Sequence, residues 1–422
     1  MLPYRQNGIK MKRQEILDLL YIDLVSTMGC TDVGAVGYAA AKAGALLKGE
    51  LKKIKLHLSD LLYKNSLRVG IPGTYKSGVK KAVLLGYLLK NPERKLAVFQ
   101  DATKEEINKI NELEENIPFN ISYEKKDDPL YIDLILYSEE SEVRVLMLYS
   151  YDNIDSVYVD KKLIYKNEHS ISTNKASKSD LPTIDEIYNF ISTEDQSLDK
   201  LVSFAEVNYQ TALLKLKARD IELPVIAPEN IQDGAPFVRK YIFNACNLRM
   251  KGAAVPVVGV AGSGNLGITD LTAVYMLGKM LKADSLKIKR SLALAILIST
   301  YIKRKMTLLT TICGSALAGG AGTSAATVFL ADGRLEQIKS AVNMLIAANA
   351  GTLCDGAKKS CAFKLAFSAE NGVAVGKMAL DGEKFQSENG INKVNVEDTI
   401  QNIADINNYA LETARDKILE II

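Results

Sequence analysis

Apolar and polar positions alternate in two different rhythms along this 422-residue chain. From Lys12 to Met28 the apolar residues Ile16, Leu19, Leu20, Ile22, Leu24 and Val25 recur with helical period, and Gly29 is a natural stop. Thr31 or Asp32 can cap the next helix, through the alanine-rich stretch Ala35 to Leu47. Cys30 is thereby predicted in a tight turn close to a helix start. Leu51 to Leu58 alternates as a strand, Gly70-Ile-Pro-Gly-Thr74 reads as a turn, and a helix follows from Ser77 to Leu89. Between Phe119 and Lys166 the period shortens to two. The runs Phe119–Tyr123, Tyr131–Tyr137, Val143–Tyr149, Ser156–Val159 and Leu163–Tyr165 predict an antiparallel meander. Asn167 to Pro182 is polar and reads as a linker or exposed loop containing a solvated His169.

Beyond Pro182 the strand rhythm is lost. Helical segments are predicted at about 184–194, 197–218, 235–250, 269–282, 286–303, 309–330, 333–350, 356–380 and 397–420. The fold class expected is therefore an α+β N-terminal part with an antiparallel meander, over residues 1–185, followed by an all-α C-terminal helical domain over residues 186–422. No tandem repeat is visible.

Composition narrows the chemistry. A hydrophobic fraction of 47% with 24% charged residues fits a water-soluble globular chain. The net charge of +3 is spread without a basic block, so no nucleic-acid partner is expected. Thr307 to Ala331 is uncharged, but it is mostly Ala, Gly, Ser and Thr. It reads as a central helix of a tight bundle rather than a membrane span. Met1 to Arg13 is polar and mixed in charge, so no signal peptide is expected, and five cysteines in a protein this long are expected to be reduced in a cytoplasm. Only two histidines occur, His57 and His169, which disfavours zinc and serine-hydrolase chemistry. His57 reads as structural and Cys246 as a packing residue.

The remaining chemistry lies in sulfur and glycine. Cys313, Cys354 and Cys361 each sit beside glycine or other small residues; Cys354 is expected just before a helix opening at Asp355-Gly356 and Cys361 about two turns inside it. Three soft ligands are one short of closing an iron–sulfur cube, which would leave one iron open as a Lewis acid. The alternative is three small core residues, since the spacing matches no short finger pattern. Gly262-Ser-Gly-Asn-Leu-Gly267, after the apolar run Val255 to Val260, can present N–H groups to a carboxylate or can be a plain tight turn. It lacks the βαβ context of a dinucleotide site. The turns Gly29-Cys-Thr-Asp32 and Gly70–Thr74, preceded by Lys64-Asn65, can be caps or substrate contacts.

Taken together, Gly29-Cys-Thr-Asp32, Lys64-Asn65 with Val69–Thr74, Arg249-Met250, Gly262-Ser-Gly-Asn265, Cys313-Gly314 and Cys354-Asp-Gly-Ala-Lys358 with Cys361 resemble, in order, the L-cysteine desulfidases, relatives of the iron–sulfur L-serine dehydratases. The resemblance implies an oxygen-sensitive [4Fe-4S] cluster on Cys313, Cys354 and Cys361. It also implies β-elimination from L-cysteine, a small amino-acid substrate, to pyruvate, ammonia and sulfide. On that reading Cys30 is the base, or else a fourth ligand displaced by substrate. Lys358 and Asn65 are candidate contacts, with Thr74, Ser263 and Asn265 on the loops that would take the carboxylate. L-serine dehydration and a diverged, non-catalytic cluster protein are the alternatives, and a homo-oligomer is compatible with either. Three positions depart from the family pattern: Asp32-Val33 where Glu-Pro is usual, Leu266 for glutamine, and Tyr151 near the usual histidine.

Overall fold

In the strand Lys53–Ser59 (β2), Ile54, Leu56 and Leu58 are fully buried, as period-two alternation requires of a sheet with one covered face. A computed structural model describes residues 11–22, 24–126, 130–168, 181–193, 196–214, 223–307 and 309–422. A short strand, Ser26–Met28 (β1), precedes β2 in the chain. Six strands, β2 with Phe119–Glu124 (β3), Tyr131–Tyr137 (β4), Glu142–Leu148 (β5), Ile154–Val159 (β6) and Lys162–Lys166 (β7), form one sheet of order β3-β2-β4-β5-β6-β7. The meander expected from the sequence is present as β4 to β7, antiparallel throughout. Phe119–Glu124 stands apart from it, lying parallel to β2 at the sheet edge. A parallel neighbour needs a crossover, and the intervening helices, ending with Lys104–Asn116, supply it. The helix Thr31–Leu46 packs its alanine and glycine side against Val79–Leu89, close enough that a Cβ on Gly86 would lie 2.3 Å from the Gly37 carbonyl oxygen.

The second half is helical, as expected. Its centre is Gly314–Leu330, buried on nearly every side by Ser285–Met306, Leu335–Asn349 and Ser360–Leu380. Glycine and alanine allow those close approaches: a Cβ on Gly320 would lie 2.3 Å from the Ser368 hydroxyl oxygen. Among the described residues no helix is long and apolar enough to cross a membrane. One hydrophobic core runs without a break from Ile16 to Ala404, across the expected boundary near residue 185.

Several predicted helices end or start elsewhere. The first stops at Tyr21, and Ser26–Met28 instead pairs antiparallel with Pro256–Val258 (β8), inside the half expected to be all helix. That partner lies more than two hundred residues away, so local periodicity cannot reveal it. Asn208 fixes β8 from the side, its Nδ2 donating to the Val258 carbonyl at 3.0 Å and its Oδ1 accepting from the Val258 N–H at 2.7 Å. The segment predicted as a helix from 269 begins at Gly264 and passes through a π turn, Ile268–Thr272, before Ala273–Met280. The predicted helices at 309 and 356 begin at Gly314 and Ser360, because the preceding residues are extended or turned to carry cysteines. His169 and most of the polar segment around it lie outside the described residues.

Candidate functional site

Cys313 and Cys354, forty residues apart in the chain, are brought side by side by backbone pairing. The Cys313 N–H donates to the Thr352 carbonyl and the Cys354 N–H to the Thr311 carbonyl, both at 2.7 Å, with Ile312 and Leu353 bridged antiparallel between them. Cys313 is the residue preceding the helix Gly314–Leu330 and Cys361 lies in the first turn of Ser360–Leu380. Between Cys354 and Cys361 the chain turns at Gly356 (φ +97°), where a Cβ would fall 2.3 Å from the Lys64 carbonyl oxygen. Lys64 is buried, and its ammonium donates to the Thr310 carbonyl at 2.8 Å and the Cys354 carbonyl at 2.9 Å. One lysine from the N-terminal half thus pins the segments that carry two of the thiols.

These three cysteines line a cavity of about 90 Å³ together with Cys30, Thr31, Asp32, Asn65 and Tyr151 from the first half of the chain. Arg249, the Gly262–Asn265 loop, Lys303 and Ser315 line it from the helical half. A water needs some 10–15 Å³ of such space. The cavity is therefore a small one, too small for a nucleotide.

Burial raises the Cys313 thiol to about 12, with Cys354 and Cys361 adding like-charge repulsion. It raises Cys361 as well. Burial also acts upward on Cys354, but Lys64, the Gly356 N–H and Lys364 outweigh it and hold this thiol below its ordinary value. Converging soft donors, two of them protonated until a cation arrives, fit a thiophilic metal centre that deprotonates its ligands on binding. Among the described residues no three His, Cys, Asp or Glu side chains gather closely enough to hold one ion. An iron–sulfur cube makes no such demand, since each thiolate takes a different iron.

Cys30 precedes the helix Thr31–Leu46, and the turn before it is tight: Gly29 has φ +76°, and a Cβ there would overlap Pro72 at 1.9 Å. The loop 70–74 is thus a buttress for the Cys30 turn. The Cys30 thiol donates to Asp32 Oδ2 at 3.0 Å, and the Tyr151 hydroxyl donates to Asp32 Oδ1 at 3.1 Å. A helix start lowers a thiol's pKa, but here burial wins, with Asp32 second, and Cys30 is pushed well above its ordinary value. Burial raises the Asp32 carboxyl too, against the hydrogen bonds from Cys30 and Tyr151. At rest Cys30 is therefore a thiol, hydrogen-bonded to the Asp32 carboxyl. Two of the three departures from the family pattern, Asp32 and Tyr151, meet at this pair. The third does not: Leu266 is buried in the bundle core against the position of Gly319 and does not line the cavity.

The glycine loop is braced from within and by its neighbour in the helical half. Ser263 accepts from the Leu266 N–H at 3.2 Å and shares a 2.9 Å hydrogen bond with Ser315, while backbone bonds join Val260 and Ser263 in both directions. Asn265 accepts from Arg249 Nη1 at 2.8 Å. Asn65, Ser263 and Asn265 are thus brought to the cavity, with the Asn65 side-chain oxygen buried and without a hydrogen-bond partner. Thr74 and Lys358 are not among its lining residues. The Thr74 hydroxyl closes its own turn, donating to the Ile71 carbonyl at 2.8 Å, and Lys358 pairs with Asp355 at 2.6 Å. Cys246 is fully buried in the helix Ala235–Met250, and His57 lies on the sheet, bonded to Ser122 and Glu124.

Sequence reasoning passed over Lys303 and Ser315. Lys303 belongs to a Lys-Arg-Lys run that reads as a solvated helix end, yet it is buried, and burial disfavours its ammonium. Ser315 directly follows Cys313-Gly314, a signal too slight to use alone.

A family model described as serine dehydratase alpha chain matches residues 93–420. The chain is also similar over nearly its whole length to proteins named UPF0597. That of Clostridium perfringens (strain SM101 / Type A) is 30% identical over 426 residues, 97% of this chain and 98% of its own. That of Fervidobacterium nodosum is 32% identical over 396 residues, 94% and 93% of the two chains. That of Methanocella arvoryzae is 29% identical over 419 residues, 98% and 99%.

Proposed function

Because this chain belongs to the serine dehydratase alpha chain family, a lyase function is its starting point, and we propose that the reaction is PLP-independent β-elimination of L-cysteine to pyruvate, ammonia and sulfide. One observation carries the reading: Cys30, bonded to Asp32, lines the same small cavity as Cys313, Cys354 and Cys361. A [4Fe-4S] cluster on those three cysteines would supply a Lewis acid for the departing β-substituent, and a thiophilic metal suits sulfur better than oxygen there.

The chain's own residues then have to move one proton and exclude water. The Cα–H of an amino acid is a weak acid, so the base must be strong and close. Cys30 becomes such a base when its proton passes to Asp32 Oδ2, 3.0 Å away. Asp32 is suited to receive it, since burial already favours its protonated form. The hydroxyl of Tyr151 holds the other carboxylate oxygen and so orients the pair. The Cys30 thiolate takes the Cα proton, the Cα–H electrons form the Cα=Cβ bond, the Cβ–S electrons leave with sulfide, and the proton held on Asp32 passes to that sulfide, which restores the carboxylate. The aminoacrylate product tautomerises to the imine, and water releases pyruvate and ammonia.

The test is anaerobic purification, quantification of iron and sulfide, and parallel assays on L-cysteine and L-serine. Sulfide and pyruvate in equal amounts from L-cysteine, with kcat/KM above that for L-serine, is the expected result. A higher kcat/KM for L-serine would replace this reading with dehydration of serine. A cluster-loaded protein that makes no pyruvate from either would remove catalysis altogether.

A further inference from the structure

Arg249 closes the helix Ala235–Met250 and is only 2% exposed. A guanidinium stays charged at any physiological pH, and a buried charge calls for a partner. Asp32 feels the charge of Arg249 through space, but among the described residues no carboxylate bonds directly to the guanidinium. Its Nη1 donates to the neutral amide of Asn265 at 2.8 Å, its Nε is buried with no hydrogen-bond partner, and among the described residues it forms no ion pair. Asp32 lines the same cavity, but its oxygens accept from Cys30 and Tyr151. The surrounding chain is shaped to leave the guanidinium where it is: a Cβ on Gly264 would lie 2.6 Å from Nη2, 2.7 Å from Cζ and 2.8 Å from Nε.

We propose that Arg249 is an anion subsite of this cavity and takes the α-carboxylate of the substrate, with Asn265 holding the guanidinium in position. The inference rests on reading the cavity as the site for a small amino acid. It adds the residue that reading leaves open: the carboxylate is held by a side-chain guanidinium rather than by loop N–H groups alone. The guanidinium fork matches a carboxylate in shape and charge, a match that lysine's single ammonium cannot reproduce. The glycine of the loop then has a chemical reason, since any side chain at 264 would stand where the fork stands.

The experiment is anaerobic calorimetric titration of the cluster-loaded full chain with two thiol probes. 3-Mercaptopropionate carries a carboxylate and no amine; cysteamine carries an amine and no carboxylate. The first is expected to bind and the second to bind at least ~30-fold more weakly, as loss of a charge-assisted hydrogen-bonded pair implies. Arg249→Lys should weaken 3-mercaptopropionate by ~10²-fold. Asn265→Asp sets a permanent carboxylate against the guanidinium, so it should weaken the probe similarly without lowering the melting temperature, and it decides the matter if Arg249→Lys fails to fold. Equal binding of both probes, no binding of 3-mercaptopropionate, or an unchanged constant in the variants overturns the assignment. Carboxylate-dependent binding without sulfide release from L-cysteine would sink the cysteine reading and leave the anion subsite standing. Sulfide release with an unaltered KM in Arg249→Lys would do the reverse.

Discussion

Replacing Gly264 by alanine adds one methyl group at a place the Arg249 guanidinium already occupies. The new Cβ would lie 2.6 Å from Nη2, whereas ordinary contact begins at 3.4 Å, so the guanidinium must retreat by about 0.8 Å. Backbone is not the obstacle, because Gly264 is helical and alanine is the better helix former by roughly 1 kcal/mol. Overpacking of a buried group costs ~1–3 kcal/mol, so the two effects nearly cancel and the melting temperature should move by only a few degrees. Binding should respond far more, since a displacement near 1 Å in a positioning group costs on the order of 10²-fold. The assay is steady-state kinetics on L-cysteine beside a thermal melt and an iron determination. The expected pattern is a KM raised ~10–10²-fold with iron content unchanged. A variant with native KM would show that the guanidinium's position is irrelevant to substrate and would refute the reasoning about the loop.

Two further outcomes follow from buried titratable groups. Cys30→Ala removes the base and should lower kcat by ~10²–10⁴-fold while iron content and cluster absorbance stay at the native level; loss of iron together with activity would assign Cys30 to holding the metal. Asp270 is fully buried in the π turn, with Ser299 on Oδ1 at 3.0 Å and no partner on Oδ2. Burial raises it well above its ordinary value of 3.8, so the folded protein keeps a proton that the unfolded chain releases. The stability from that proton is fully present below pH ~4 and is lost as pH rises toward the folded value. Asp270→Asn cannot titrate, so urea unfolding should show a shallower fall of stability with pH, and a gain over the native protein of ~1–3 kcal/mol at pH 8. Parallel curves for the two proteins between pH 5 and 8 would rule this out.

Much of this protein is written locally. Period-two runs placed the meander and period-3.6 runs placed the helical half, because each rests on neighbours a few residues apart. Three-dimensional packing decided the rest. The β1–β8 pair, the Lys64 clamp on the cysteine segments, and the union of Cys30, Asp32 and Tyr151 join residues tens to hundreds of positions apart, and no local period records such partners. Protonation was equally a tertiary matter. A thiol at a helix start reads as acidic from sequence, but burial against Asp32 reverses that at Cys30, because desolvation in a closed cavity exceeds the pull of a few N–H dipoles. Arg249 shows the same division: its identity is plain in the chain, while its burial with an unpartnered Nε exists only once the helix Ala235–Met250 and the loop at Gly264 have closed around it.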